Sequence, residues 1–373
     1  MIDANMTKRM EEATRLTRAG KLHEAMVLLN GGAPETRSEQ APSKAYRGGD
    51  TYIGACQRVD DEPAESRAST AQPSSAFDRT RVKNAGAFTA GRFTHHVGSR
   101  DYKLYLPSGY HGQALPLVVM LHGCTQSSDD FAAGTAMNGL AEAQLCCVLY
   151  PAQPMSANSS KCWNWFKAED QQREGGEPAI LAGMTRHIID THGLDASRVY
   201  VAGLSAGGAM AVTLSMTYPE LFAAVGIHSG LPHGVAQSLP DALGAMQGGT
   251  GSLGRGNVKA GVWASKVPAI IFHGDRDTTV HPSNAERVAA QYRAASIGAV
   301  PNIEQGRAAN GHAYTRTAHN NADGISQMEQ WQIHGAGHAW SGGSAKGSYT
   351  DPKGPDASKE MLRFFLQHGH QHG

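Results

Sequence analysis

Short, nearly uninterrupted apolar runs recur through the chain from about residue 90 onwards, and segments with helical spacing separate them. Such runs are typical of strands buried on both faces, and their alternation with helices predicts a mostly parallel sheet flanked by helices. The predicted strands lie at residues 117–121, 145–150, 199–203, 223–228, 269–273 and 328–333, preceded by an edge hairpin of residues 93–97 and 102–106. The predicted helices cover residues 135–144, 178–191, 205–218, 283–295 and 358–366, the last of them capped by the Ser358 hydroxyl.

The first 87 residues have a different pattern. Apolar residues at three- and four-residue spacing predict a helical hairpin within residues 1–30, broken at Gly20. Residues 31–87 are rich in Pro, Ser, Gly, Glu and Arg, which predicts a disordered linker to a main domain of residues 88–367 and a polar tail of residues 368–373. Because so short a hairpin does not bury its apolar face alone, we expect the main domain, a second copy of the chain or an external surface to cover it; plain disorder is the alternative.

A candidate nucleophile lies where the strand at residues 199–203 runs into a helix. The motif G-x-S-x-G at residues 203–207 places Ser205 on the tight strand–turn–helix elbow that exposes a serine hydroxyl. Gly203 and Gly207 fit this turn because the backbone comes too close on either side for a β-carbon. The context therefore predicts a nucleophilic serine and, with it, an α/β-hydrolase fold; a glycine-rich turn that happens to contain a serine is the alternative.

Such a serine needs a base and an orienting acid, which follow it in the order Asp, His in this fold. Asp277 lies just beyond the strand at residues 269–273, and His338 follows the strand at residues 328–333. Asp275 competes for the role of the acid, but it is better placed to cap the turn. His334, the other histidine near the last strand, is expected to be structural.

The negative oxygen of a tetrahedral intermediate requires two backbone donors. The amide of Ala206, directly after the nucleophile, is one candidate. The amide of Cys124 is the other, because the loop after the strand at residues 117–121 turns sharply at His122-Gly123. An ordinary strand exit without a catalytic donor is the alternative for this second position.

Four motifs together resemble those of the short-chain poly(3-hydroxybutyrate) depolymerases, which belong to a wider esterase group that also contains feruloyl and acetylxylan esterases. They are H-G-C-T-Q at residues 122–126, C-W-N-W-F at 162–166, G-L-S-A-G-G at 203–208 and G-H-A-W-S-G-G at 337–343. The resemblance covers roughly residues 88–367. It implies an α/β-hydrolase in which the catalytic residues are Ser205, Asp277 and His338. The short N-terminal helical appendage is predicted separately, from the pattern of residues 1–30.

The resemblance also implies a disulfide between Cys124 and Cys162, and it implies that Trp163 or Trp165 lines the polymer groove. In an extended segment these two rings share a face and would form an apolar shelf for ester repeats, with Trp340 as a further groove residue. Core packing is the alternative for all three tryptophans. Residues 231–266 lack a clear period and are expected to form a groove wall, and the absence of a large apolar insertion favours an open groove.

Charge and composition bear on which classes of partner the protein binds. Lys plus Arg and Asp plus Glu are equal at 33 each, so there is no electrostatic case for nucleic acid as a partner. No run of about 18 apolar residues is present, which excludes a membrane-spanning helix. The amino end lacks the apolar core of an export signal, so we expect a cytoplasmic enzyme, associated with storage granules.

The cysteines and histidines predict neither a disulfide scaffold nor a metal site, and the expected chemistry needs no cofactor. Cys146 and Cys147 lie in an apolar strand and are expected to be buried thiols. Because disulfides are unusual in a reducing cytoplasm, Cys124 and Cys162 are either bonded or a dithiol. The expected function is hydrolysis of poly(3-hydroxybutyrate) through an acyl-enzyme. The alternatives are a feruloyl, acetylxylan or general short-acyl carboxylesterase and, less favoured, a non-catalytic protein of the granule surface.

Overall fold

The structure, a computed structural model, describes Glu12 and residues 86–249, 264–293, 301–309 and 311–370. The predicted N-terminal hairpin and linker lie outside the described residues except for Glu12, which is helical, and the last two linker positions. The strands of the described residues are β1 Ala87–His95, β2 Gly98–Leu106, β3 Leu117–Leu121, β4 Cys147–Pro151, β5 Val199–Leu204, β6 Ala224–His228, β7 Ala269–Gly274, β8 Asn302–Arg307, β9 Ala313–Asn320, β10 Ser326–Ile333, β11 Trp340–Ser341 and β12 Thr350–Asp351.

Strands β1 to β10 form one sheet, in the order β1-β2-β4-β3-β5-β6-β7-β10-β9-β8. Its centre, from β4 to β10, is parallel. The predicted edge hairpin is present, since β1 and β2 pair antiparallel at one end. Its predicted bounds are corrected: residues 96–97, placed in the first strand, form the turn, and both strands are longer than predicted. At the other end, β9 and β8 extend the sheet antiparallel beyond β10. Strands β11 and β12 pair separately.

Besides the helical Glu12 and a short 3-10 helix at Ala168–Gln171, the described residues form the α-helices α1 Ser128–Thr135, α2 Met137–Gln144, α3 Gly176–His192, α4 Ala206–Thr217, α5 Leu239–Met246, α6 Ser283–Tyr292 and α7 Ala357–Phe365. The predicted helix at residues 135–144 is in fact the end of α1 and all of α2, separated by Ala136 with a left-handed φ of 52°. The segment at residues 231–266 contains α5, although residues 250–263 lie outside the described part. The cap of α7 is also corrected: Asp356 accepts the Lys359 amide, and Ser358 lies inside the helix.

Two apolar cores lie on opposite faces of the sheet, as the alternation of side chains along a strand requires. On β3, Leu117, Val119 and Leu121 contribute to one core, while Val118 and Met120 contribute to the other. All five are fully buried. Burial on both faces explains why the central strands are continuous apolar runs.

The carboxyl ends of the parallel strands meet at one edge of the sheet. The segments that leave β3, β5, β7 and β10 at this edge contain, in that order, the predicted oxyanion donor Cys124, the predicted nucleophile, the predicted acid and the predicted base. Residues 122–125, which follow β3, are called the oxyanion loop after this predicted role. In open sheets of this kind ligands bind at the carboxyl edge, so the topology brings the predicted site residues to one place.

Candidate active site

Ser205 occupies a strained elbow between β5 and α4. Its backbone has φ 58° and ψ −119°, and its amide donates to the carbonyl of His228 at 2.9 Å. A β-carbon on Gly203 would lie 2.3 Å from the backbone of Gly207, and one on Gly207 would lie 2.1 Å from the carbonyl oxygen of Leu121. Both glycines are therefore required by close backbone approach, as the motif predicts.

Asp277 and His338 form a hydrogen-bonded pair beside this elbow. His338 Nδ1 lies 2.7 Å from Asp277 Oδ2, while Asp277 Oδ1 accepts the amides of Thr279 at 2.9 Å and Val280 at 2.8 Å. The carboxylate is buried and held at both oxygens. It accepts the Nδ1 proton of the imidazole, which leaves Nε2 free to act as a base.

His273 is a second histidine at the acid, and sequence reasoning placed it only within a strand. Its Nε2 lies 2.8 Å from the Val280 carbonyl oxygen and 3.4 Å from Asp277 Oδ2. Burial alone would raise the pKa of Asp277, but the hydrogen bonds from His273 and His338 hold that pKa well below its usual range. Asp277 is therefore ionised at neutral pH. The spacing of four residues between His273 and Asp277 is the only feature of the sequence that relates them.

The competing acid and base pair with each other instead. Asp275 Oδ2 lies 3.0 Å from His334 Nδ1, and His334 Nε2 lies 2.9 Å from the hydroxyl of Thr315 on β9. This array imitates a triad, but it ends on Thr315 and does not involve Ser205. Asp275 also accepts the Gly335 amide at 2.7 Å, so it stabilises the turn after β10.

The contact between the serine and the histidine of the candidate triad is not formed. Within the described part of the chain, no hydrogen bond joins Ser205 Oγ to His338 Nε2. Such bonds are often long in unliganded enzymes and shorten when substrate binds. The structure thus brings the acid and the base together and places the serine on the same sheet edge.

The two predicted oxyanion donors are uncommitted. Among the described residues, neither the Cys124 amide nor the Ala206 amide donates to a protein acceptor, whereas the next amide along the loop, Thr125, donates to the Ser160 carbonyl at 2.7 Å. The Ala206 amide also lies at the positive N-terminus of α4, where negative charge is favoured. These two amides are therefore available for an oxyanion.

The ring of His122 orients the Cys124 amide. Its Nδ1 lies 2.7 Å from the Gly123 carbonyl oxygen, and its Nε2 accepts the Gln153 amide at 3.1 Å. These partners define the neutral Nδ1–H form, and burial lowers the pKa of His122 to about 4. Because the carbonyl and N–H of a trans peptide point in opposite directions, fixing the Gly123 carbonyl directs the Cys124 N–H away from the His122 ring.

A disulfide and an indole attach this loop to residues 162–166. Cys124 and Cys162 are bonded, with their Cα atoms 4.2 Å apart. Trp163 Nε1 donates to the carbonyl of His122 at 3.0 Å. The C-W-N-W-F motif is thus attached to the oxyanion loop by one covalent bond and one hydrogen bond.

The tryptophans do not form the expected shelf. Trp163, Trp165 and Trp340 are only 0%, 4% and 1% exposed, so the prediction of an exposed aromatic groove is wrong. Trp340 donates its indole N–H to Ser358 Oγ at 3.0 Å, and its ring stacks on that of His228 with the ring centroids 5.2 Å apart. The indole N–H groups of Trp163 and Trp340 thus both donate to buried acceptors, and the Trp165 ring packs in the hydrophobic core. Core packing, the alternative for these tryptophans, is what the structure shows.

A buried polar cluster supports the C-W-N-W-F segment, and sequence reasoning missed it. Glu177 accepts the backbone amide of Asn164 at 2.7 Å and its side-chain amide at 2.8 Å. Arg100 donates to the same carboxylate at 3.2 Å. Asp170 accepts the Glu177 amide at 2.7 Å, and burial together with the Glu177 charge raises the pKa of Asp170 to about 7. Because these residues are far apart in the sequence, no local motif predicts the cluster.

Other candidate chemistry is limited. Burial raises the pKa of the Cys146 and Cys147 thiols to about 12, so both are unreactive near neutral pH. In the described ranges, no group of three or more His, Cys, Asp or Glu side chains is arranged to hold a metal ion. No helix in those ranges has both the length and the apolar character needed to cross a bilayer.

Comparison with solved structures defines the fold class. The acetyl xylan esterase from Aspergillus awamori superimposes with a TM-score of 0.58 at 21% identity, covering 74% of this chain and 99% of that chain. With the elbow and the parallel sheet described above, this likeness identifies the fold as that of the α/β-hydrolases.

The sequence defines the family. The family model described as Esterase PHB depolymerase matches residues 100–311, and the chain belongs to this family. It is 33% identical over 273 residues to the poly(3-hydroxyalkanoate) depolymerase C of Paucimonas lemoignei, covering 71% of this chain and 62% of that protein. It is 30% identical over 189 residues to the feruloyl esterase B of Thermothelomyces thermophilus, covering 48% of this chain and 64% of that protein. The chain thus spans less than two thirds of the length of these curated relatives.

Proposed function

We propose that the chain is a carboxylic ester hydrolase in which Ser205, His338 and Asp277 act as nucleophile, base and orienting acid. Ser205 Oγ attacks the ester carbonyl while His338 Nε2 takes its proton. The amides of Cys124 and Ala206 stabilise the oxyanion. His338 then gives the proton to the leaving alcohol and activates the water that releases the acid from the acyl-enzyme, while ionised Asp277 stabilises the imidazolium.

The observation that carries this proposal is the 2.7 Å contact between Asp277 and His338 at the sheet edge that also holds the Ser205 elbow. A structural Asp–His pair is a common feature by itself. Two uncommitted amides and a strained serine beside it favour acyl transfer over a purely structural role.

The substrate we propose is poly(3-hydroxybutyrate). Support comes from the family and from the relative in Paucimonas lemoignei, whose name describes a polyester depolymerase. Feruloyl or acetylated carbohydrate esters are the second candidate, since curated relatives also bear the names feruloyl esterase B and acetylxylan esterase A. Because the tryptophans are buried, contacts with a polymer would have to come from other residues.

Two measurements test the proposed chemistry. A serine-directed phosphonate should label the peptide that contains Ser205, and Ser205→Ala should abolish both the labelling and the hydrolysis of p-nitrophenyl butyrate. Labelling of another residue would contradict the proposal. Comparing amorphous polyester, acetylated xylan and a feruloyl ester as substrates of the wild type then identifies the acyl group.

A location in the cytoplasm, on storage granules, stays a prediction, and the disulfide offers a test of it. A Cys124–Cys162 bond is expected to persist in an oxidising compartment and to be rare in a reducing one. Acid-quenched cells, alkylated before extraction, should therefore yield the two cysteines as free thiols if the protein works in the cytoplasm. Recovery of the bonded pair would contradict that location.

A further inference from the structure

Gln126, the last residue of the H-G-C-T-Q motif, spans two loops of the candidate site. Its side chain is buried, and Oε1 accepts the amide of Gly123 at 2.9 Å. Its Nε2 donates to Asp130 Oδ2 at 2.9 Å and to the Ser348 carbonyl at 3.1 Å. Both ends of the carboxamide are therefore used, one on the oxyanion loop and one across from it.

Asp130 secures the far side of this bridge. Its Oδ1 accepts the Ser348 amide at 2.9 Å, and its Oδ2 accepts the Ser348 hydroxyl at 2.6 Å. Ser348 belongs to the loop between β11 and β12, and β11 begins two residues after His338. A continuous series of hydrogen bonds thus runs from the oxyanion loop to the loop that follows the base.

The bridge and the Ser160 carbonyl together occupy the amides on either side of Cys124. Gly123 N–H is bound by Gln126, Thr125 N–H is bound by the Ser160 carbonyl, and only the Cys124 amide between them lacks a protein acceptor among the described residues. Without Gln126, the Gly123 amide would be a buried donor without its partner, which is costly enough to rearrange the turn. Rearrangement would move the Cys124 amide away from the oxyanion.

We propose that Gln126 is a positioning residue for ester hydrolysis: it aligns the Cys124 amide and couples the oxyanion loop, through Asp130 and Ser348, to the loop after His338. This inference rests on the proposed function of Ser205, Cys124 and His338. Gln126 touches no reacting atom in this role. Its effect should therefore appear in kcat, where oxyanion stabilisation acts, more than in KM.

The first test is Gln126→Met, which keeps the side-chain length and removes both hydrogen-bonding ends. We expect kcat for p-nitrophenyl butyrate to fall between about tenfold and a hundredfold, with KM within about twofold, because loss of one oxyanion donor typically costs about 10²–10³ in kcat. Gln291→Met is the matched control. Gln291 is also a buried carboxamide bonded at both ends, to the His233 amide at 3.0 Å and the His233 carbonyl at 2.9 Å.

The second test uses pH. In Gln126→Glu, the protonated carboxyl can accept from Gly123 and donate its one hydrogen to Asp130, which restores that part of the bridge without the bond to the Ser348 carbonyl. The ionised carboxylate is instead repelled by Asp130. The ratio of variant to wild-type kcat should therefore fall as pH rises through the pKa of the introduced carboxyl. A side chain with a merely structural role would give a constant ratio across the range in which both proteins stay folded.

The outcomes separate the inference from the proposed function. The positioning role is supported if Gln126→Met loses more kcat than Gln291→Met does while the two variants lose the same amount of melting temperature. It is also supported if the kcat ratio of Gln126→Glu to wild type falls with pH. Wild-type kcat in Gln126→Met, or an equal loss in both methionine variants together with a flat pH ratio, would overturn it. If Ser205→Ala keeps wild-type activity, the proposed function fails first, whatever the Gln126 variants do.

Discussion

Replacing Asp277 with asparagine is the most informative single perturbation of the candidate triad. The variant keeps the size of the side chain, and its oxygen can still accept the amides of Thr279 and Val280. The atom that faces His338 Nδ1 then becomes an NH₂ donor. His338 must accept at Nδ1 and carry its proton on Nε2, where it cannot take the proton of Ser205.

The magnitude follows from this tautomer. In a serine hydrolase, holding the catalytic histidine in the wrong tautomer lowers kcat by about 10⁴. This factor corresponds to about 5.5 kcal/mol in activation free energy. KM should change little, because the acid does not contact the substrate.

Stability should change with pH in a defined direction. The pKa of Asp277 is lower in the folded protein than in the unfolded chain, where it is about 3.9. The ionised carboxylate thus stabilises the fold above that unfolded value, and the contribution is lost as pH falls through the folded pKa. The wild type should exceed Asp277→Asn in free energy of unfolding at pH 7, and the difference should narrow below about pH 4.

The assay is steady-state hydrolysis of p-nitrophenyl butyrate, with urea unfolding at pH 7 and pH 3.5 as the second readout. Asp275→Asn is the matched control, since Asp275 bonds a different histidine, His334, at 3.0 Å. Its kcat should stay near the wild-type value. Equal losses in both variants, or wild-type activity in Asp277→Asn, would refute the assignment of the acid.

Three further predictions concern the elements around the site. Replacing Cys124 and Cys162 together with alanine should lower the free energy of unfolding by about 4 kcal/mol, given the separation of 38 residues between them, and should lower kcat; unchanged urea midpoints would contradict this. Trp163→Phe removes the buried hydrogen bond to the His122 carbonyl, so we expect the free energy of unfolding, measured with heat or urea, to fall by about 1–3 kcal/mol. An unchanged free energy of unfolding would show that this bond does not stabilise the loop. Gly207→Ala places a β-carbon 2.1 Å from the Leu121 oxygen, so the variant should be insoluble or unfolded by circular dichroism, and a folded, active variant would disprove the elbow geometry.

Much of the fold could be predicted because the central strands carry a strong signal. Burial on both faces makes each one an apolar run, and the polar residues that follow mark where it ends. Ser205, Asp277 and His338 each come directly after such a run or a few residues later. Parallel strands place these three positions at one edge of the sheet, where Asp277 and His338 are in contact.

The missed features depend on contacts that no local pattern contains. Strands β8 and β9 are largely polar and partly exposed, so they lack the alternation of a half-buried strand. Ala136 breaks a helix in a left-handed conformation, although no glycine or proline marks the position. Trp163 and Trp165 are two residues apart, as on one face of an extended segment, but both side chains are buried in the hydrophobic core. Trp163 also donates a hydrogen bond to the His122 carbonyl, a contact that no local pattern contains.

The most direct test of the account is the incubation of native amorphous poly(3-hydroxybutyrate) granules with the purified protein and with Ser205→Ala, following turbidity and soluble acid together. We predict that the wild type clears the suspension and releases 3-hydroxybutyrate or its oligomers, while the variant does neither. Clearing by Ser205→Ala would contradict the proposed nucleophile. Intact granules with wild-type protein that still cleaves p-nitrophenyl butyrate would contradict the polyester as substrate.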